Sequence, residues 1–148
     1  MLMSTYQSWA SPMPVQIEGV CALIQVYDMI ESLRFYQEHL GFEIAQQAPF
    51  LEQPYPHINW VLLKRENTEF MLNTAFDADQ RPASRDPAWV AGHRDTTLFF
   101  GCPDVDAAYE SLKCSGLSPK PPVTTHYGMR QIWFSDPDGY GVCLQWPA

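Results

Sequence analysis

The stretch DMIESLRFYQEHLG, residues 28–41, is matched later in the chain by DVDAAYESLKCSG, residues 104–116. Each stretch begins with an aspartate, which caps a helix by accepting backbone N–H groups, and ends with a glycine, which readily adopts the left-handed conformation that terminates helices. Between these ends, apolar residues recur at spacings of three and four and so share one helix face. The two stretches therefore predict two amphipathic helices of nearly equal length.

Each predicted helix follows a strand candidate, and a short apolar strand candidate closes each half of the chain. Residues 20–26 and 69–74 occupy these places around the first helix, and residues 96–100 and 142–145 occupy them around the second. This repetition indicates an internal duplication. The sequence therefore predicts an α+β fold of two tandem βαβββ modules, whose curved mixed sheets enclose a cavity.

We divide the chain into an arm and a single domain. Residues 1–18 lack apolar periodicity, so we expect them to form an N-terminal arm that lies over a neighbouring subunit. Residues 19–148 are expected to form one domain. Its modules span residues 19–75 and 95–147, and residues 76–94 have the composition of a surface linker.

The composition of the 148 residues excludes several classes of protein. A hydrophobic content of 46% with 18% charged residues is typical of a globular protein and not of a disordered or membrane-spanning one. The chain shows neither a membrane-length apolar run nor a signal-peptide pattern, so we expect a cytoplasmic protein without membrane contact. A net charge of -8 with nine Lys and Arg argues against nucleic acid and against acidic partners in general.

Four cysteines, at positions 21, 102, 114 and 143, are widely spaced and form no C-x-x-C pair. This spacing favours reduced, buried thiols over a disulfide framework or a zinc knuckle. A reactive thiol at Cys21 or Cys143 stays open, although no Lys, Arg or His is adjacent in sequence to lower its pKa.

Four motifs together resemble the vicinal-oxygen-chelate superfamily of glyoxalases, bleomycin-resistance proteins and dioxygenases. Residues 26–36, VYDMIESLRFY, with residues 40–42, LGF, resemble its opening motif. Residues 104–109, DVDAAY, and residues 136–139, DPDG, resemble two elements of its second half. The DPDG stretch also has the composition of a tight turn, since Pro fixes φ and Gly accepts positive φ, so we interpret its role as structural.

The resemblance implies a divalent metal held by four inward side chains, one near the start and one at the end of each module. It places these positions at Cys21, Met71, Thr97 and Cys143. None of these residues is a histidine or a carboxylate, which are the donors that such metals prefer. We therefore expect no metal, no cofactor and no catalytic residue, and a binding protein in preference to an enzyme.

Two alternatives remain at these positions. Cysteine and methionine are soft donors, so a site for monovalent copper or zinc stays open, although such residues on strands are most often buried hydrophobes. A register slip of one residue would instead bring Glu69 or His93 into the ligand set. The chain would then be a metal-dependent enzyme, similar to a lactoylglutathione lyase or a ring-cleaving dioxygenase.

Strand alternation predicts which side chains line the cavity. If Leu98, Phe100 and Cys102 face the helices, the residues of opposite parity face inward. The predicted ligand-binding residues are Cys21, Leu23, Gln25, Trp60, Met71, Asn73, Thr97, Phe99, Met129, Gln131, Trp133, Cys143 and Gln145. Their aromatic rings, thioethers and amides suit a planar, partly apolar ligand.

Residues 127–130, YGMR, also resemble the W-G-x-R stretch of the metal-free, antibiotic-binding branch of the superfamily. The resemblance thus implies a homodimer that sequesters a small aromatic, antibiotic-like compound in a pocket at the dimer interface. The four histidines are expected to face solvent, with two of them at the pocket rim. They are His39, His93 and, at the rim, His57 and His126.

Overall fold

Both predicted helices are present in the computed structural model, which describes residues 13–48, 58–77 and 79–148. The first module consists of β1 (Leu23–Val26), α1 (Met29–Leu40), β2 (Glu43–Ala48), β3 (Trp60–Arg65) and β4 (Thr68–Thr74). Helix α2 (Pro87–Gly92) and a short 3-10 helix, His93–Asp95, follow it. The second module consists of β5 (Thr97–Gly101), α3 (Val105–Cys114), β6 (Val123–Thr124), β7 (Met129–Ser135) and β8 (Gly141–Pro147).

The helix ends have the predicted chemistry. The Asp28 carboxylate accepts two backbone N–H groups of the first turn of α1, and Gly41 ends this helix with a φ of 71°. The Asp104 carboxylate accepts a backbone N–H in α3, and Gly116 follows that helix with a φ of 92°. These local interactions explain why the two stretches form helices of similar length.

The two modules have the same strand order. The first sheet is ordered β1-β4-β3-β2 and the second β5-β8-β7-β6. In each sheet the first and last strands of the module pair in parallel, and the other pairs are antiparallel. The α+β fold of two βαβββ modules with mixed sheets is therefore confirmed.

The helix-facing sides of the two sheets form two apolar clusters that are joined into one shared core by partly buried residues common to both, such as Phe100 and Phe134. Aromatic side chains join the modules there, because the Phe100 ring of the second module lies 5.4 Å from the Phe42 ring and 5.9 Å from the Phe70 ring of the first. The opposite side of each sheet therefore points away from this core. Within one chain both of these sides carry solvent-exposed apolar side chains, with Leu23 at 45% and Phe99 at 52% exposure.

The DPDG turn joins the second module to the first. Buried Asp138 accepts a hydrogen bond from the Tyr27 backbone N–H, and buried Asp136 accepts one of 2.8 Å from the Tyr36 hydroxyl. The Tyr140 hydroxyl donates to the carbonyl of Gln25 at 2.9 Å. These contacts support a structural role for the turn, since each crosses between modules.

Three details differ from the predictions. Strand β1 begins at Leu23 and not at residue 20, because residue pairing with β4 starts at Leu23, just after the Ala22 carbonyl accepts a hydrogen bond from the Met71 N–H. The predicted linker contains α2, which ends beside the DPDG turn, where the Val90 carbonyl lies close to Gly139. Buried thiols were the wrong expectation for Cys21 and Cys114, which are exposed because one precedes β1 and the other lies on the outer surface of α3.

All four cysteines are free, and of these Cys143 is buried. Residues 1–12 of the predicted arm and His57 lie outside the described part of the chain, while residues 13–22 have no regular secondary structure. In the described ranges, no helix combines the length and apolar character that crossing a membrane requires.

Candidate functional site

The outward side of the second sheet carries two aromatic rings above a buried thiol. Strand register places Phe99 and Trp133 on either side of Cys143. The two rings meet edge to face, with centroids 5.2 Å apart and planes at 88°. Because Cys143 is fully buried while Phe99 and Trp133 are 52% and 43% exposed, the rings cover the thiol and present their own surfaces outward. We name this pair of rings the aromatic platform.

Burial raises the pKa of the Cys143 thiol to about 11. The thiol is therefore protonated at neutral pH, whereas a nucleophile or metal ligand must be a thiolate. The covering rings also separate the sulfur from solvent. These two properties argue against the reactive-thiol alternative at this position.

A network of amides holds the tryptophan of the platform. The Trp133 indole N–H donates to the Gln131 side-chain oxygen at 2.9 Å. The Gln131 amide nitrogen in turn donates to Gln145 at 2.8 Å and to the Tyr127 hydroxyl at 3.2 Å. Since Gln131 is buried, its bonds restrict the orientation of the indole. Tyr127 was absent from the predicted lining, although the YGMR motif pointed to its neighbourhood.

The outward side of the first sheet has an apolar row and a more polar row. Leu23, Met71 and Leu62 lie side by side across three strands. Gln25, Asn73 and Trp60 form the next row, in which the Asn73 amide donates to the Gln25 side-chain oxygen at 3.3 Å. Leu62 was missed by the prediction, although its parity matches that of Trp60 on the same strand.

The predicted ligand-binding residues thus fall into two separate groups. The first open face contains Leu23, Gln25, Trp60, Met71 and Asn73, with Leu62 in addition. The second open face contains Thr97, Phe99, Met129, Gln131, Trp133, Cys143 and Gln145. Cys21 precedes β1 and is exposed. Within one chain the two groups are not brought together, because the shared core lies between the sheets.

The four positions implied for a metal do not form a donor set that fits a divalent ion. Cys21 and Met71 belong to the first module, and Thr97 and Cys143 to the second. None supplies a carboxylate or an imidazole, and Cys143 carries its proton at neutral pH. In the part of the chain that the structure describes, no three His, Cys, Asp or Glu side chains are grouped to hold a metal ion.

A register slip of one residue would have placed Glu69 or His93 in the metal-ligand set, but the structure gives both side chains other partners. Glu69 forms an exposed ion pair with Lys64 at 3.5 Å. The ring of His93 stacks on that of Tyr140, with centroids 4.0 Å apart and planes at 7°, and its Nδ1 lies 2.6 Å from the Asp138 carbonyl oxygen. A solvent-facing His93 was therefore wrong, since the segment after α2 packs against the DPDG turn.

The other two described histidines differ in exposure. His126 is exposed beside the Tyr127 ring, near the second open face. His39 is half-buried at the end of α1, where its Nδ1 lies 2.7 Å from the Ser115 hydroxyl. A free, solvent-facing role is therefore wrong for His39.

Comparison with known proteins assigns the family. The model of the glyoxalase/bleomycin resistance protein/dioxygenase superfamily matches residues 19–144. The chain belongs to this superfamily. The match covers both modules and the DPDG turn, in agreement with the repeated strand order. No curated protein matches the chain in sequence.

Several solved structures of the superfamily fold resemble this chain. A glyoxalase/bleomycin resistance protein/dioxygenase from Nocardioides is 17% identical with a TM-score of 0.65, and 90% of this chain and 85% of that one are covered. TnmS3, an antibiotic binding protein from Streptomyces, is 24% identical with a TM-score of 0.59, at coverages of 90% and 100%. A bleomycin-binding protein complexed with bleomycin is 16% identical with a TM-score of 0.63, at coverages of 89% and 100%. At these identities the likeness establishes the fold.

Proposed function

We propose that this member of the superfamily binds a planar aromatic, antibiotic-like compound and sequesters it without a metal ion. The observation that carries the proposal is the aromatic platform. Two large rings are exposed side by side on the second sheet, and adjoining exposed apolar side chains mark an interaction site better than singly scattered ones do. Exposed rings of this kind supply stacking area for a flat ligand.

The platform is also preorganised. Gln131 fixes the indole of Trp133 by a hydrogen bond, and Phe99 contacts its ring edge to face. A binding surface that is ordered before the ligand arrives loses less conformational entropy on binding. This arrangement favours binding over chemistry, since the thiol beneath the rings is protonated and covered.

Two further observations support the proposal. The residues at the implied metal positions do not fit a divalent ion, so the metal-dependent reactions of the superfamily have no evident Lewis acid here. Two of the structurally similar proteins are described as an antibiotic binding protein and as a bleomycin-binding protein. We extend this property to the present chain as part of the proposal.

The pocket itself is proposed to lie between two copies of the chain. The two open faces point away from the shared core, so neither covers the other within one chain. A two-fold symmetric pair would place the first open face of one copy over the second open face of its partner, forming two equivalent pockets. In such a dimer Leu23, Met71 and Trp60 would cover a ligand stacked on the platform. A cytoplasmic location is also part of the proposal.

The decisive experiment compares two tryptophans on opposite sides of the second sheet. Trp133 is 43% exposed on the platform, and Trp146, on the opposite parity of β8, is 44% exposed. A panel of planar aromatic compounds is titrated against wild type, Trp133→Ala and Trp146→Ala by calorimetry. We expect Trp133→Ala to weaken binding roughly ten-fold, as the loss of one stacking partner implies, and Trp146→Ala to leave it unchanged. Equal affinity of wild type and Trp133→Ala for the compounds that bind, or no binding of any compound in the panel, would contradict the proposal.

The dimer has its own test. Sedimentation equilibrium of the full chain should give twice the mass of 16.9 kDa. Leu23→Glu, at a position that is 45% exposed on the first open face, should shift the chain towards the monomer. A wild-type monomer at micromolar concentration would contradict the shared pocket.

A further inference from the structure

Two basic side chains differ from all the others in the chain. Six of the nine Lys and Arg form ion pairs with carboxylates: Arg34, Lys64, Arg81, Arg85, Lys113 and Arg130. Arg65 donates to the Gly41 carbonyl at 3.0 Å. Arg94 and Lys120 remain, and neither has an ion-pair or hydrogen-bond partner among the residues that the structure describes.

Arg94 and Lys120 line the same cavity. This cavity has a volume of about 570 Å³ and lies at the end of the second sheet that is nearest the DPDG turn. Its wall includes Trp133 of the aromatic platform, together with the hydroxyl-bearing residues Thr97 and Ser135. No Asp or Glu is among the described residues that line it. In a chain of net charge -8, such a pair of cations makes a local positive site.

The wall of this cavity also includes an open strand edge. Strand β6 is two residues long and pairs with β7 at Arg130 and Gln131. Beyond these pairs, residues 133–135 of β7 have no neighbouring strand on that side among the strands that the structure describes. Outward-pointing backbone groups of this segment are therefore available to a ligand, in addition to the two cations and the hydroxyls.

We infer that the aromatic ligand carries an anionic group, of which a carboxylate is the simplest, and that Arg94 and Lys120 bind it while Trp133 stacks on the ring system. The inference rests on the proposed aromatic-binding function. It adds the charge of the ligand to that proposal. Because Trp133 belongs both to the platform and to the cationic cavity, a ring system stacked on Trp133 would bring its anionic group near the two cations. From net charge alone, acidic partners were expected to be disfavoured, and the two cations would make this cavity an exception.

The test uses matched pairs of ligands that differ in charge but not in shape. The probes are 2-naphthoate, 2-anthracenecarboxylate and 1-pyrenecarboxylate, each with its neutral carboxamide. They are titrated by calorimetry against wild type and against the double variant Arg94→Gln/Lys120→Gln. The control variant Arg34→Gln/Lys113→Gln removes the same charge from two exposed ion pairs on helices. The variants should fold, since the four side chains are solvent-exposed.

We expect wild type to bind a carboxylate about five-fold more tightly than its carboxamide at low salt, as two partly exposed charge pairs would give. This preference should vanish in Arg94→Gln/Lys120→Gln, persist in the control variant and shrink as salt screens the charges. Carboxamide affinity should be equal in all three proteins. Equal binding of both members of each pair by wild type would overturn the inference and leave the proposed function standing. Absence of binding by every probe would overturn both.

Discussion

The Arg85 guanidinium lies 2.9 Å from the carboxylate of Asp138, a side chain with no exposed surface at the centre of the DPDG turn. Arg85 also contacts Glu31 of α1. One side chain from the segment between the modules thus binds a helix of the first module and the turn of the second. Without Arg85, the buried carboxylate of Asp138 would have only uncharged partners in the described part of the chain, such as the Tyr27 backbone N–H.

Replacing Arg85 by Gln should destabilise the protein by about 2–3 kcal/mol, because the buried Asp138 carboxylate loses its cationic partner and, among the described residues, keeps only hydrogen bonds from the Tyr27 N–H and the Ser32 hydroxyl. Urea denaturation at neutral pH measures this change. Arg34→Gln provides the matched control, since it breaks an exposed pair with Glu38 and should change stability by less than about 0.5 kcal/mol. Equal effects of the two variants would show that Arg85 has no special role.

Because the pKa of buried Asp136 is raised, the stability of the protein should depend on pH in the acidic range. Burial raises the pKa of its carboxyl from the ordinary 3.8 to about 6. The folded state therefore binds a proton more tightly than the unfolded chain, so this group stabilises the fold below pH 4, and that contribution is lost as pH rises towards 6.

Asp136→Asn should remove this pH dependence. The stability of wild type relative to the variant should fall by roughly 2–3 kcal/mol between pH 4 and pH 7, as a shift of this size implies. Urea denaturation at several pH values gives the difference. Asp79→Asn, at an exposed position, is the control. A difference between wild type and Asp136→Asn that stays constant with pH would refute the prediction.

Substitutions at two glycines can separate the effect of backbone conformation on stability from the effect of packing. Gly128 and Gly139 have almost the same φ, 83° and 85°. A Cβ at residue 128 would meet nothing, whereas a Cβ at residue 139 would lie 2.6 Å from the Val90 carbonyl oxygen of α2.

Gly128→Ala should therefore cost about 1 kcal/mol, the penalty of a left-handed conformation for an L-residue. Gly139→Ala should cost clearly more, since the backbone of α2 must move away from the turn. Thermal unfolding of the two variants measures the difference. Equal losses of stability would indicate that α2 does not pack on the turn.

The aromatic platform should protect the Cys143 thiol from reagents. Mass spectrometry of iodoacetamide-treated protein at pH 8 should show exposed Cys114 modified at least roughly ten-fold faster than Cys143, because a thiol of high pKa is unreactive and this one is covered. Phe99→Ala removes half of the cover and should accelerate labelling of Cys143 while leaving Cys114 unchanged. Rapid labelling of Cys143 in wild type would contradict the platform geometry.

Local sequence patterns determined the elements and the faces of this fold. The caps at Asp28 and Asp104 determine where the helices begin, because they act through hydrogen bonds within one turn. Strand alternation correctly separated Phe99 from Phe100, since neighbouring side chains on a strand always point to opposite sides. The repeated order of elements was sufficient to predict the two modules. Leu62 was available from the same rule and was overlooked.

Only the tertiary structure decided how these faces are used. It placed the shared core between the sheets, separating the first open face from the second, because the helix-facing sides bury more apolar surface against each other. It also packed His93 against Tyr140 and brought Arg94 and Lys120 to one cavity. These residues are distant in sequence or lie in irregular segments, so no sequence periodicity predicts which residues they contact. The sequence thus determined which side chains share a sheet face, and long-range packing determined which of them meet.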